Sequence, residues 1–119
     1  MVDAFSSAIQ AGKLDEVAKL LDANALILES GYAEHDASEY LAAHAKEDAE
    51  FLKDVHVQLI NRTAQVSGDM AWVGSESEMH MQKDGKAVTL LSAETMVLKK
   101  TPQGWRIVHI HWSSHLKTP

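Results

Sequence analysis

The feature that most constrains the fold is a change of hydrophobic period at Val55. Before it, apolar residues recur at helical spacing. After it they alternate, and three turn signals interrupt the alternation: Ser67-Gly68-Asp69, Asp84-Gly85 and Thr101-Pro102-Gln103-Gly104. A repeat near 3.6 belongs to helices and a repeat of two to strands, whose successive side chains point to opposite faces. Short polar turns close hairpins, and Asp-Gly favours the type I′ turn. The chain is therefore expected to place helices before a curved antiparallel meander, an α+β domain in the order α-α-β-α-β-β-β-β. At 119 residues, without linker or repeat, residues 1–119 are expected to form one domain.

Residues 2–10 read as a short helix that stops at Gly12. Leu14, Val17, Ala18, Leu20 and Leu21 give a second helix, broken near Asp22-Ala23-Asn24. Residues 25–29 form a brief strand ended by Gly31. Asp36 followed by Glu39 resembles a capping box and opens the longest helix, about residues 37–53. Its inner face gathers Leu41, His44, Ala45, Asp48, Phe51 and Leu52, so an imidazole and a carboxylate lie one turn apart within an apolar stripe.

Hairpin geometry then sets which strand residues meet. An Asp84-Gly85 turn pairs Lys83 with Lys86 and puts Ser75 opposite Glu94 and Ser77 opposite Ser92. A four-residue last loop, 101–104, pairs Lys100 with Trp105. Continued without interruption, it sets Glu94 against His111, Met96 against His109 and Ser92 against Ser113. One face would carry Ser75, Ser77, Ser92, Glu94, His109, His111 and Ser113 as a polar island between apolar ends. That pattern suits a sheet curled around a pocket and closed by the long helix. The other face, with Val97, Val108, Ile110 and Trp112, suits solvent and a partner subunit. A one-residue change in a loop would reverse these faces.

His109, His111 and Glu94, with His44 and Asp48 across from them, are the candidate functional groups. Imidazoles and carboxylates together could hold a divalent metal through His44, Asp48, His109 and His111. Without a metal they could move protons: His109 or His111 as base, Glu94 or Asp48 to orient it, and His44 across the ligand. The same groups could also form an inert network, with His44 bonded to Asp48 and Glu94 to His111. Ser75, Ser77, Ser92 and Ser113 could orient a ligand or merely make room in a concave sheet. Tyr32, over the pocket mouth, and Trp105 are further candidate ligand contacts. Met79, Met81 and Met96 read as core filler, and His35, His56, His80 and His115 as surface groups.

No phosphate-binding loop, nucleophile elbow or metalloprotease helix occurs, so no cofactor is required, a divalent metal being the one candidate. A net charge of −6 without a Lys/Arg stripe argues against nucleic acid. No stretch nears the roughly 20 apolar residues of a membrane span. The N-terminus lacks a basic region and a long apolar run, so a cytoplasmic location is expected. A chain from which a signal had been removed, periplasmic or secreted, would read the same.

The element order and the closing hairpin carry a resemblance. Glu94-Thr95-Met96-Val97-Leu98, a turn ending in Gly104-Trp105, then Arg106-Ile107-Val108-His109-Ile110-His111-Trp112-Ser113-Ser114 is similar to the C-terminal hairpin of the nuclear transport factor two-like superfamily. That superfamily has a cone-shaped, cystatin-like fold and includes SnoaL-like and ketosteroid-isomerase-like proteins. Glu29-Ser30-Gly31 and the following helix resemble its small bacterial branch. The resemblance spans the chain. It implies a pocket between the concave sheet and the long helix, a small-molecule ligand with isomerase-, dehydratase- or cyclase-like proton transfer, and commonly a homodimer through the outer sheet face. The superfamily also contains binding and assembly modules. Ketosteroid isomerases use an Asp base with a Tyr and a protonated acid; here the tyrosines are Tyr32 and Tyr40, and no Asp falls on the pocket strands. Scytalone dehydratases, which pair histidines with an Asp, are nearest in residue types but their motifs are missing.

Overall fold

The computed structural model describes residues 1–118. Two helices, α1 (Val2–Gln10) and α2 (Leu14–Leu20), lead into β1 (Leu21–Glu29) and β2 (Tyr32–Glu34). A helical segment follows as α3 (Ala37–Glu39), a π-helical turn (Tyr40–His44) and α4 (Ala45–Leu52). Four long strands complete the chain: β3 (His56–Ser67), β4 (Met70–Lys83), β5 (Lys86–Thr101) and β6 (Gly104–Leu116). The α+β reading holds. The single sheet has the order β2-β1-β6-β5-β4-β3, antiparallel throughout except that β1 runs parallel to β6. No helix among the described residues is long and apolar enough to cross a membrane.

Local chemistry explains most boundaries. Asp36 accepts a hydrogen bond from the Glu39 backbone N–H at 2.8 Å, and Glu39 accepts one from the His35 N–H at 2.7 Å. This reciprocal cap starts the helix that the sequence marks. Asp84 and Gly85 both have positive φ, 54° and 78°, as a type I′ turn requires. Ser30 and Gly31, at 48° and 87°, make the same kind of turn. They create β2, which pairs with β1 and which the sequence reading ended at Gly31 without foreseeing. β1 also starts four residues earlier than expected, at Leu21, where it meets Ile107 of β6.

The core lies between the helices and the inner sheet face. Phe5, Val17, Ile27, Tyr40, Met96, Ile107 and Ile110 are its largest fully buried side chains. Tyr40 and Trp112 tilt against each other at 6.0 Å between ring centroids, and Phe5 lies 6.1 Å from Trp112.

The β4–β5 register is as expected, with Ser75 opposite Glu94 and Ser77 opposite Ser92. The β5–β6 register begins as expected at Lys100 and Trp105 and then changes. Leu98 pairs with Ile107 but Val97 pairs with His109, leaving Val108 as an extra, bulged residue. Beyond it Glu94 faces Trp112 rather than His111, Met96 faces Ile110 rather than His109, and Ser92 faces Ser114 rather than Ser113. Because side chains alternate, this single residue turns Ile110 and Trp112 inward and His109 and His111 outward. The expected inward imidazoles, and the expected outer placement of Ile110 and Trp112, are both corrected by it. A second bulge at Ile60 does the same on β3: Leu59 pairs with Ser77, and Arg62 with Ser75. Val57, Leu59 and Arg62 thereby all face the concave side.

Candidate functional site

A cavity of about 560 Å³ opens between α1, α4 and the concave sheet face. Phe5, Ile9, Phe51, Leu52, Val57, Leu59, Met79 and Leu90 form its apolar lining. Its polar lining includes Asp3, Glu29, Asp48, Arg62 and Glu94 with Ser75, Ser77 and Ser92. Ser113 and Ser114 border it where β6 leaves the core.

At one wall, three carboxylates surround one imidazole. His44 Nδ1 lies 2.6 Å from Glu34 Oε1, and Nε2 lies 2.7 Å from Glu29 Oε1 and 3.3 Å from Asp48 Oδ1. These side chains keep 15% (His44), 16% (Glu34), 22% (Asp48) and 34% (Glu29) of their surface. Tyr40, His44 and Asp48 recur at four-residue intervals, and the Tyr40 hydroxyl donates to Asp48 Oδ2 at 2.7 Å. A π-helical turn of this kind is a frequent companion of functional sites.

Electrostatics poises two of the carboxyls. Burial pushes Asp48 up to about 6, against the lowering effect of the Tyr40 hydrogen bond and the His44 charge, with Glu29 and Glu34 raising it further. Burial also raises Glu94, although the Trp112 indole N–H donates to it at 2.8 Å and Arg62 is near. For His44, burial alone would favour the neutral ring. The hydrogen bond to Glu34, the charge of Asp48 and the hydrogen bond to Glu29 outweigh it and move the imidazole above its usual value. Burial and the adjacent Asp48 carboxylate keep the Tyr40 phenol protonated.

On the opposite wall Arg62 donates through Nε to Ser75 Oγ at 2.9 Å and through Nη1 to Asp3 Oδ1 at 2.8 Å. The guanidinium is thus held in place beside the cavity and is its one lining cation among the described residues.

Of the residues singled out from sequence, the structure brings Asp48, Glu94, Ser75, Ser77, Ser92 and Ser113 to one cavity, with His44 directly behind Asp48. It does not bring His109 or His111 there, because of the Val108 bulge. Tyr32 lies in β2, 73% exposed and away from the cavity lining, and Trp105 packs against the hydrophobic core instead. Glu29, Glu34, Tyr40, Arg62 and Trp112 were missed. The spacing of Tyr40, His44 and Asp48 held a signal for Tyr40; Glu29 and Glu34 reach His44 only through the unforeseen β1–β2 hairpin.

Glu29, His44 and Asp48 offer ligand atoms within 4.8 Å of one another, among the described residues the group that could hold a metal ion. The fit is poor. Two ligands on one ion with bonds of about 2.0–2.1 Å stand on the order of 3 Å apart or more. The 2.7 Å between Nε2 and Glu29 is a hydrogen-bond distance, and Nδ1 is taken by Glu34. The four-residue set with His109 and His111 is divided between the two sheet faces.

The model of the SnoaL-like domain family matches residues 1–117. Among solved structures, a Shewanella frigidimarina protein provisionally described as a ketosteroid isomerase is 34% identical with a TM-score of 0.89, over 94% of this chain and 90% of that one. An NTF2-like protein with a cystatin-like fold from Novosphingobium aromaticivorans is 19% identical with a TM-score of 0.78, over 94% and 75%. The association domain of C. elegans CaMKII is 21% identical with a TM-score of 0.78, over 94% and 88%. Among curated proteins, none matches.

Proposed function

Because the chain belongs to the SnoaL-like domain family, we propose that its cavity binds a small, largely apolar carbonyl compound and transfers a proton on it, as an isomerase or dehydratase would. The observation that carries this reading is the pair of half-buried carboxyls, Asp48 and Glu94, both raised and both lining one cavity. A base works best with its pKa near the working pH, and an acid must keep its proton until it is needed. Asp48 is the base that removes a proton beside the carbonyl. Tyr40 fixes the Asp48 carboxyl through Oδ2, and the adjacent His44 ring steadies its charge. Glu94, oriented by the Trp112 indole, supplies a proton to the developing oxyanion. Ser75, Ser77 and Ser92 are placed to orient the polar end of the ligand. The volume is that of a pocket for a small organic molecule.

The test needs no knowledge of the natural substrate. A panel of cyclic and aromatic ketones is incubated with the protein in D2O, and deuterium uptake beside the carbonyl is followed by NMR. At least one ketone is expected to exchange, and Asp48→Asn is expected to slow that exchange about 100-fold or more. Exchange equally fast in Asp48→Asn, or no exchange by any ketone, would refute the reading.

We also propose a homodimer through the outer sheet face. Leu26, Trp72 and Val97 lie there by register, and Leu26 and Trp72 are exposed. A solution mass of two subunits that falls to one in Val97→Glu is expected; a one-subunit mass for the unaltered chain would rule it out.

A further inference from the structure

We propose that His109 and His111 form a paired-imidazole site for a borderline divalent metal ion (Cu²⁺, Ni²⁺ or Zn²⁺) on the outer face of the sheet. The proposal is independent of the cavity. The Val108 bulge turns both side chains to that face, two residues apart on one strand, with ring centroids 6.4 Å apart. His109 Nδ1 lies 2.9 Å from the Leu26 carbonyl oxygen. A carbonyl can only accept, so Nδ1 carries the proton and Nε2 is the nitrogen left for a metal ion. A backbone carbonyl on the far nitrogen is the support that metal-binding histidines commonly have: it fixes the tautomer and the ring and raises basicity. His111 is exposed beside it in the single chain; Leu26 and Val97, which flank His109, belong to the face proposed to pair two chains, so the site would lie at that interface.

The surroundings select the ion. Leu26, Leu28, Thr95 and Val97 are the strand neighbours of the pair, and none carries a carboxylate. A donor set of imidazoles without carboxylates favours Cu²⁺, Ni²⁺ and Zn²⁺ over Mg²⁺, Ca²⁺ and Mn²⁺. The chain's net charge of −6 favours the approach of any cation. The His56–His80 pair and His44 are less available. His56 and His80 stack at 6.0 Å, but the His80 nitrogens lie 3.1 Å from Thr89 Oγ1 and 3.3 Å from Gln58 Oε1. Both nitrogens of His44 are held by carboxylates.

The test is calorimetric titration of the untagged full chain with CuCl2, NiCl2 and ZnCl2 near neutral pH. The variants are His109→Gln, His111→Gln, His56→Gln and Asp48→Asn, each checked for folding by circular dichroism. Binding is expected to be tightest for Cu²⁺. Stoichiometry should be one ion per chain, or one per two chains where a second copy completes the coordination. His109→Gln and His111→Gln should each weaken binding about tenfold or more, with His56→Gln and Asp48→Asn unchanged. Since His111 is exposed, its variant keeps the test available if His109→Gln does not fold. Copper resonance of the unaltered chain should show two nitrogen ligands. Binding weaker than about 1 mM would overturn the proposal. So would a loss of binding confined to His56→Gln or Asp48→Asn.

Discussion

Ile110→Asp is expected to leave the chain unfolded at 25 °C, whereas His111→Asp should change stability by less than about 0.5 kcal/mol. Ile110 is fully buried and sits in the core beside Ile107 and Met96, while its neighbour in sequence, His111, is exposed. An unpaired buried carboxylate costs several kcal/mol even after relaxation, comparable with the whole stability of a small domain. The contrast between adjacent residues is a direct reading of which face each occupies. Without the bulge at Val108 the two outcomes would be exchanged, His111 being the core residue and Ile110 the surface one. Circular dichroism of the two variants distinguishes the registers.

His44→Ala is expected to cost on the order of 3 kcal/mol near pH 7.5, measured by urea denaturation. The variant leaves Glu29, Glu34 and Asp48 converging without the imidazole that bridges them. The figure is placed at the low end for a broken buried pair because Glu29 keeps a third of its surface in water. The cost should be largest below about pH 6.5, where the imidazole carries its full charge, and should shrink as pH rises through the raised folded value. In the unaltered chain His44, Asp48 and Glu94 are all raised, so the folded state binds protons more tightly than the unfolded chain at these sites. Each contribution is full below the group's unfolded value and is lost as pH rises through its folded value. Stability from Asp48 should therefore decline between about pH 4 and about 6. That from His44 should decline from about pH 6.5 upward. A His44→Ala cost below about 1 kcal/mol at pH 7.5, or one that does not vary with pH, would contradict the network as described.

Much of this architecture is legible in the sequence because it depends on local rules. The period change at Val55, the Asp36–Glu39 cap and the Asp84-Gly85 turn each act within a few residues, and each appears in the structure where it was expected. The pairing from the Asp84-Gly85 turn runs unbroken through Ser77–Ser92 and Ser75–Glu94, so those residues reach the cavity as foreseen. The pairing from the last turn fails after four residues, because a bulge is one extra residue with no composition of its own. Nothing in Ile107-Val108-His109 distinguishes a bulged from a regular strand, yet that residue decides whether two imidazoles or an isoleucine and a tryptophan face inward. Glu29 and Glu34 illustrate a different limit. They meet His44 across separations of fifteen and ten residues through a hairpin whose turn, Ser30-Gly31, is a weaker signal than Asp-Gly.

Proton transfer at the Asp48 wall is tested by a ¹³C NMR titration of the Asp48 side-chain carboxyl, assigned by comparison with Asp48→Asn. A midpoint near pH 6 is expected, moved upward by burial in the cavity wall. A midpoint near the ordinary aspartate value of about 4 would show Asp48 to be solvated like a surface carboxylate, and would contradict a proton-transfer site at that wall.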